Sequence, residues 1–296
     1  MDLELASPCK VNLLLNILGK RDDGFHELET VMHPVPLFDR LRFERGGTGV
    51  RLSCSEPSLP VDGSNLVHRA ARAFLTAAGI REGIAIHLEK HIPMAAGLGG
   101  GSGNAATTLL GMNALFGRPL VDLELARLAA RLGSDVPFFL QSQPALAVGR
   151  GDRIEPLGRF PALDGIFILL IHPGFGISTA WAYQSLGRFP EALNGRAGRA
   201  REFIAWLGTQ DLTGAAAGFY NSLEAPALEK YPVLACYQDF LRAHGAAVAL
   251  MSGSGSTTFA LVRGEEAAED LRERFRVKFG PACWTVVVSL AGADTA

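Results

Sequence analysis

A glycine cluster lies between Pro93 and Thr107, where the chain reads PMAAGLGGGSGNAAT. Glycine loses more backbone entropy on folding than any other residue, so such a cluster indicates a place where backbone must approach something closely. The residues before it alternate like a strand, and those after it favour a helix. A glycine loop that opens a helix directs unpaired N–H groups and the positive end of the helix dipole at one point. The segment therefore predicts a site for the phosphates of a nucleotide rather than a flexible linker.

Two further points concern this segment. We expect Ser102 and Asn104 to cap a helix that runs from Asn104 to Phe116. The same residues also admit a dinucleotide-binding interpretation, because Gly101-x-Gly103-x-x-Ala106 follows a strand pattern and opens a helix. The repeated βαβ units of a doubly wound sheet are not apparent around it. The dinucleotide interpretation, with a nicotinamide-dependent oxidoreductase as its function, therefore lacks part of its expected context.

Length and composition are those of an ordinary globular protein. A chain of 296 residues, 48% of them hydrophobic, is long enough for two domains. The formal net charge of −2 provides no basic field for nucleic acid and no polybasic surface for a membrane. The four cysteines are widely spaced and the first residues show no signal-peptide pattern, which favours a reducing cytoplasm. We expect a small-molecule substrate and no obligate protein partner.

Two charged residues stand out from their surroundings. A half-buried strand is predicted from Lys10 to Ile17, with Lys10 and Asn12 on the same face, roughly 7 Å apart by strand geometry. Asp135 lies in the segment GSDVPF, where the proline indicates the first turn of a short helical segment. A lone lysine on a strand is commonly solvated, and a first-turn aspartate is commonly a favourable helix charge.

The second half of the chain has a different pattern. A strand is predicted over 166–171, a helix from near Ser178, and then strand 247–251, strand 257–262, helix 265–279 and strand 283–290. This order is typical of a ferredoxin-like α+β sandwich, so we place a domain boundary near Leu157. The turn MSGSGS between two of the strands is consistent with a simple hairpin or with backbone that approaches a ligand. The arginine-rich stretch 188–201 is consistent with a segment that orders on binding or with a solvated surface, and its composition favours the surface.

Three segments together resemble the motifs of the GHMP kinases, a family of ATP-dependent small-molecule kinases; they read PCKVNL, PMAAGLGGGSGNAA and MSGSG. Further segments resemble one branch of that family, whose substrate is an isoprenoid precursor carrying cytidine diphosphate; they read GKRDDGFHELETVM, GSDVPFF, GRGD and HPG. The resemblance extends over nearly the whole chain. It implies an α+β, two-domain GHMP-kinase fold with the active site in a cleft between an N-terminal α/β domain, residues 1–157, and a C-terminal ferredoxin-like α+β domain, residues 158–296.

The resemblance also implies roles for individual residues. Lys10 and Asp135 correspond to the catalytic pair, in which the lysine steadies the transferring phosphoryl group and the aspartate receives the hydroxyl proton. ATP is the co-substrate with Mg²⁺ on its phosphates, and the Ser102 hydroxyl is a candidate ligand of that ion. The residues implied in ATP binding are Pro93, Met94, Ala95, Ala96, Gly97, Leu98, Gly99, Gly100, Gly101, Ser102 and Gly103.

On the substrate side the resemblance implies a cytosine pocket. Phe25 and Tyr183 correspond to the aromatic residues that stack on the base, and His26 to the residue that hydrogen-bonds its edge. Asn12 corresponds to a residue that bonds polar groups of the substrate, and Thr179 lies close to Tyr183. The alternatives are another GHMP kinase, acting on homoserine or mevalonate, and a non-catalytic relative that only senses a ligand. An aromatic base pocket favours the cytidine substrate, because homoserine and mevalonate have no base to stack.

Overall fold

The computed structural model describes residues 2–208 and 212–290. Its strands are β1 Asp2–Lys20, β2 His26–Arg45, β3 Val50–Cys54, β4 Ile84–Glu89, β5 Ala145–Gly149, β6 Arg153–Pro156, β7 Ile166–His172, β8 Tyr220–Asn221, β9 Val248–Met251, β10 Thr258–Arg263 and β11 Trp284–Ser289. Its helices are α1 Leu66–Ala78, α2 Gly100–Leu115, α3 Asp122–Leu132, α4 Thr179–Ser185, α5 Pro190–Leu193, α6 Arg199–Leu207, α7 Leu212–Ala215, α8 Glu224–Lys230, α9 Pro232–Ala243 and α10 Glu265–Phe279.

The first sheet is built on the long antiparallel pair β1 and β2. Its order is β3-β4-β2-β1-β8, in which β4 pairs with the C-terminal part of β2. Strand β5 pairs with the N-terminal part of β2, and β6 pairs with β5. Strand β1 is buried on both faces from Lys10 to Asn16, so the expectation of a half-buried strand is wrong. The reason is tertiary: helix α2 and the glycine loop cover one face, while residues of the second sheet cover the other.

Helices α1, α2 and α3 form a layer over the first sheet. The Asn65 side chain caps α1, and Gly79 ends it in the left-handed conformation with a φ of 66°, both as capping rules require. Helix α2 begins at Gly100, four residues earlier than expected, and its N-cap is Gly99, which offers no side-chain cap. Ser102 and Asn104 therefore lie inside the helix, and their predicted capping role is wrong.

The second sheet has the order β11-β7-β10-β9. With its four strands numbered in chain order, the sheet has the order 4-1-3-2, which is that of a ferredoxin-like sandwich and confirms the predicted architecture. Helix α10 has the predicted bounds, strand β9 differs from prediction by one residue at its start, and β10 and β11 differ by one residue at each end. Helices α8, α9 and α10 pack on this sheet in a common apolar cluster.

Segments from the second half of the chain complete the first sheet. Strand β8 pairs in parallel with Leu14 and Leu15 of β1. The carboxylate of Glu29 on β2 accepts hydrogen bonds from the backbone N–H groups of Gly198 and Ala200, at 3.2 Å and 3.0 Å. Part of the stretch 188–201 is therefore docked on the sheet, so its interpretation as a solvated surface is wrong for that part, whereas the side chains of Arg188, Arg196 and Arg201 are exposed. The buried Glu29 is the cause, since it supplies the acceptor for the start of α6.

Two alternatives can be judged from this architecture. Of the strands next to the glycine loop, β1 pairs antiparallel with β2, and β2 pairs antiparallel with β4. The loop therefore does not lie in a doubly wound parallel sheet, and the dinucleotide interpretation is wrong. Within the described ranges, none of the helices has the length and apolar content needed to cross a bilayer.

Candidate active site

A cavity of about 620 Å³ lies between the glycine loop and the second half of the chain. Residues 93–102 line it, so ten of the eleven residues implied in ATP binding are brought together there. Gly103 does not line the cavity: a Cβ at this position would lie 2.5 Å from the backbone oxygen of Pro8. Gly103 therefore allows helix α2 to lie directly on β1, which is a packing role.

A second cavity, of about 640 Å³, is lined by all five residues implied in substrate binding, namely Asn12, Phe25, His26, Thr179 and Tyr183. The two cavities share the lining residues Asn12, Leu15, Ser102, Asp135, Thr179 and Tyr183. They therefore meet end to end beside Asp135, and a nucleotide in one would place its phosphates towards a molecule in the other.

The Lys10 side chain lines the first cavity, beside Asn12 and Asp135, which line both cavities. It is 3% exposed, and its ammonium donates to Asn12 Oδ1 at 2.7 Å and to the Gly97 backbone oxygen at 3.1 Å. The same Nζ lies 3.5 Å from Oδ2 of Asp135, whose side chain is 41% exposed. Lys10 and Asp135 are 125 residues apart in the sequence, and the fold brings their side chains together beside the glycine loop.

Asn12 holds the lysine in place. Its Oδ1 accepts from Lys10, and its Nδ2 donates to Thr30 Oγ1 at 2.9 Å. The Thr30 hydroxyl in turn donates to the Leu14 backbone oxygen at 2.6 Å. Since the side-chain oxygen of Asn12 faces the ammonium, the direct contribution of this residue is to fix the position of Lys10.

The glycine loop is fixed by contacts with both halves of the chain. The backbone oxygen of Gly97 accepts from Lys10 and, at 3.0 Å, from Ser252 Oγ, and the Thr257 N–H donates to the Ala96 oxygen at 3.1 Å. Gly97 has a φ of 78°, and a Cβ there would lie 2.0 Å from the Ser252 oxygen. The turn between β9 and β10 is therefore a hairpin whose backbone closely contacts the glycine loop. Gly253 and Ser254 line the first cavity, and their approach to a ligand stays a prediction.

Helix α2 presents its N-terminus to the first cavity. Gly99 takes a left-handed φ of 69° and precedes Gly100, Gly101 and Ser102, whose backbones line the cavity. The first N–H groups of a helix have no partner within it, and they carry the positive end of the helix dipole. With Lys10 beside them, these groups form an anion site of the kind that binds phosphate.

A buried ion pair that sequence reasoning missed lies at the start of the glycine loop. Asp39 is fully buried; it pairs with Lys90 and accepts from the N–H groups of His91 and Ile92, at 2.8 Å and 2.9 Å. Asn104 Nδ2 also donates to Asp39, at 2.9 Å. The network ties β2, the start of the loop and helix α2 together. A carboxylate directly after an apolar run signals a buried partner, but the sequence does not identify that partner.

The second cavity contains the predicted aromatic pocket. The rings of His26 and Tyr183 lie 5.1 Å apart between centroids, and Phe25 is 51% exposed. Burial, followed by the nearby charge of Lys20, lowers the pKa of His26, so its imidazole is neutral at pH 7. Burial, followed by the charge of Asp135, raises the pKa of the Tyr183 hydroxyl. The Thr179 hydroxyl is hydrogen-bonded to Ser254 at 2.9 Å.

The donor set at the junction fits a magnesium ion only together with phosphate. In the part of the chain that the structure describes, no three His, Cys, Asp or Glu side chains are grouped to hold a metal. Ser102 and Asp135 both line the junction of the cavities and provide hard oxygen atoms. Mg²⁺ commonly takes one or two protein oxygens and completes its shell with water and substrate phosphates, and this set matches that pattern.

Two family models match the chain. The model of the GHMP kinases N terminal domain matches residues 65–143, and that of the GHMP kinases C terminal domain matches residues 195–282. Among solved structures, that of homoserine kinase from Cytophaga hutchinsonii is similar, with a TM-score of 0.75 at 20% identity, covering 97% of this chain and 93% of that one. At this identity the likeness concerns the fold alone.

Two proteins of higher sequence identity to this chain are kinases of the same name. The 4-diphosphocytidyl-2-C-methyl-D-erythritol kinase of Syntrophus aciditrophicus is 41% identical over 289 residues, covering 96% of this chain and 97% of the relative. A crystal structure of 4-(cytidine 5'-diphospho)-2C-methyl-D-erythritol kinase matches with a TM-score of 0.80 and 37% identity, covering 97% of this chain and 99% of that one. The chain therefore belongs to the GHMP kinase family and, within it, to the 4-diphosphocytidyl-2-C-methyl-D-erythritol kinases.

Proposed function

We propose that this chain transfers the γ-phosphoryl group of ATP to the 2-hydroxyl of 4-diphosphocytidyl-2-C-methyl-D-erythritol, giving the 2-phosphate in the non-mevalonate route to isoprenoids. The observation that carries the proposal is the meeting of two cavities beside Lys10 and Asp135. One cavity has a phosphate site and the other has an aromatic pocket. A kinase that transfers a phosphoryl group from ATP to a base-containing alcohol, releasing ADP, needs this arrangement, with the reacting oxygen and phosphorus between the two sites.

Lys10 supplies positive charge where the phosphoryl group moves. Phosphoryl transfer passes through a loose transition state with charge spread over the equatorial oxygens, so positioning and charge neutralisation provide most of the rate. The ammonium is held by Asn12 and Gly97 before any ligand binds. It therefore needs no reorganisation when charge develops, which is the condition for effective electrostatic stabilisation.

Asp135 acts on the acceptor. Its partly exposed carboxylate lies at the junction of the cavities, and we assign it to orient the substrate hydroxyl and receive its proton. In a loose transition state the hydroxyl loses its proton late, so orientation is the larger contribution. The Lys10 ammonium, 3.5 Å from the carboxylate, attracts both the carboxylate and the negatively charged phosphoryl group and so keeps them close to each other.

The glycine loop and helix α2 hold the ATP phosphates. Backbone N–H groups of residues 99–102 are directed at the first cavity, and we assign residues 93–102 to the nucleotide. Mg²⁺, when bound, would neutralise phosphate charge, and Ser102, which lines both cavities, is the residue that would hold it. We further infer cytoplasmic, small-molecule chemistry, which the near-neutral net charge supports.

The pocket at Phe25, His26 and Tyr183 selects the cytidine end. Aromatic faces stack on any base, so the choice of cytosine falls to His26, whose neutral imidazole has one donor and one acceptor nitrogen. Homoserine and mevalonate have no base for the aromatic rings to stack on and no base edge for His26 to hydrogen-bond. This pocket therefore favours the cytidine substrate over those of the structurally similar kinases.

The test is a substrate panel. The purified chain is given Mg-ATP with 4-diphosphocytidyl-2-C-methyl-D-erythritol, homoserine or mevalonate, and ADP release is measured for each. We expect turnover with the cytidyl alcohol and at least a hundredfold lower kcat/KM with the other two, because a site built for polar groups rejects substrates that lack them. Equal turnover of homoserine or mevalonate would refute the assignment. Tight binding of the cytidyl alcohol without any ADP release would indicate a non-catalytic ligand sensor.

A further inference from the structure

The ring of Phe25 has little packing of its own. It lies in the turn between β1 and β2, where the Phe25 N–H donates to Asp23 Oδ1 at 3.1 Å and the Arg21 N–H donates to the Phe25 oxygen at 2.8 Å. These bonds fix the backbone of the turn. The side chain is nevertheless 51% exposed, and it lacks the hydroxyl that would tether a tyrosine.

Arg150 covers one face of this ring. It lies in the turn between β5 and β6, and the pairing of Leu28 with Gly149 places that turn beside the start of β2. The guanidinium carbon of Arg150 is 4.8 Å from the centroid of the Phe25 ring, which is within the range of a cation–π contact. Both side chains line the second cavity.

The position of Arg150 is itself determined by its surroundings. Its Nη2 donates to Asp152 Oδ2 at 3.0 Å, and the Asp152 side chain is 21% exposed. Gly149 and Gly151 flank the arginine with φ values of 76° and 88°, which holds the turn in a conformation that favours glycine. A planar guanidinium held in this way stacks flat on an aromatic ring, which an ammonium group does not do.

We propose that Arg150 is a positioning residue that holds the Phe25 ring as a preformed wall of the substrate cavity and so sets the affinity for the cytidine end of the substrate. This inference rests on the function proposed above. An exposed aromatic side chain otherwise loses rotamer freedom when a base stacks on it, and a contact that orders it in advance removes that cost. One face of the ring is then occupied by Arg150, and the other is available to the base.

The test compares Arg150→Met with wild type in steady-state kinetics. Methionine keeps the length of the apolar stem and removes the charge. We expect the KM for 4-diphosphocytidyl-2-C-methyl-D-erythritol to rise about two- to fivefold, the size of an exposed cation–π contact, with kcat and the KM for ATP unchanged. Arg150→Lys keeps the charge but lacks the planar guanidinium, and its KM for the same substrate should lie between those of wild type and Arg150→Met. An unchanged KM in Arg150→Met would refute the proposal.

A double-mutant cycle separates this role from direct contact with the substrate. If Arg150 acts through the ring, Arg150→Met has no further effect on KM in a Phe25→Ala background. The same fold-change in both backgrounds would mean that Arg150 contacts the substrate directly, and the proposal would be wrong. A fall in kcat together with a lower melting temperature in both Arg150 variants would point to a structural role and would also overturn it.

The chain contains a matched control. Arg188 lies 5.5 Å from the ring centroid of Phe189 and is paired with Glu229, but it lines neither cavity. Arg188→Met removes the same kind of contact and should leave every kinetic constant unchanged. Turnover of the cytidyl alcohol by wild type decides the proposed function separately, so failure of that function and failure of the Arg150 proposal are distinguishable.

Discussion

Replacement of Gly97 by alanine tests the contact that fixes the glycine loop against the turn between β9 and β10. The new Cβ would lie 2.0 Å from the Ser252 oxygen and 3.0 Å from the Gly255 nitrogen, both backbone atoms, whereas ordinary contact begins at 3.4 Å. Neither atom is at the end of a flexible side chain, so the loop and the turn must separate by about 1 Å. A displacement of about 1 Å can reduce turnover about a hundredfold when catalysis depends on positioning.

The cost in stability has two parts. An alanine with a left-handed backbone costs roughly 1–2 kcal/mol. Separation of the loop also weakens the hydrogen bond from the Lys10 ammonium to the Gly97 oxygen, and bonds to charged groups contribute roughly 1.5–3 kcal/mol. We therefore expect Gly97→Ala to lower the free energy of unfolding by about 3 kcal/mol, which corresponds to a decrease in melting temperature of roughly 6 °C in a chain of this size.

The assay combines thermal unfolding with ADP release under saturating cytidyl alcohol and varied Mg-ATP. Gly158→Ala is the matched control, because Gly158 is exposed, has no positive φ, and leaves open space within 4 Å of the position that an alanine Cβ would take. We expect the control to change stability by less than about 0.5 kcal/mol and to keep full activity. If Gly97→Ala melted within about 2 °C of wild type, roughly the shift for 1 kcal/mol, with an unchanged KM for ATP, the contact between the loop and the turn would not have the importance assigned to it.

Three other predictions concern the ion pair and the base pocket. Asp39→Asn leaves the buried Lys90 ammonium without a counter-charge and should destabilise the fold by about 3–5 kcal/mol, measured by urea unfolding; a loss under about 1 kcal/mol would contradict this. His26→Ala should raise the KM for the cytidyl alcohol and leave the KM for ATP unchanged, and an equal rise in both would exclude a base-reading role. The pKa of His26 is lowered from its usual 6.5, so the KM for the cytidyl alcohol should stay constant as the pH falls towards 6.5 and rise only at lower pH. A rise in KM as the pH falls from about 8 to 7 would contradict a neutral imidazole.

Local signals in the sequence predicted a large part of the fold. Helix α1 has Asn65 before it and Gly79 after it, and α10 follows a glycine turn, so their bounds follow from capping rules. The start of α2 did not follow, because glycine is a poor helix former and three of the first four helical residues are glycines. There the close contact with β1 determines the helix start, and that contact is a tertiary feature.

The candidate site was predictable where motifs carry it and not where distant residues meet. The glycine loop is a continuous segment, whereas the pairing of Asp39 with Lys90 joins residues 51 positions apart. Burial of β1 on both faces likewise depends on the second sheet, whose position relative to the first is not encoded in the alternation of β1 itself. Arg150 belongs to the segment GRGD, which carries part of the resemblance, but its relation to Phe25 could not be predicted because it arises from the pairing of β2 with β5.

The central claim is that Lys10 and Asp135 form one phosphoryl-transfer site, and the Asp135→Asn variant tests it most directly. Single-turnover phosphoryl transfer is measured by rapid quench with bound ATP and the cytidyl alcohol, and ATP affinity is measured separately by calorimetry. We expect a rate at least about a hundredfold below wild type with ATP affinity unchanged, the size typical of losing a positioned proton acceptor. A rate near that of wild type would mean that Asp135 is only a charge at the start of a helical turn, and the proposed mechanism would be wrong.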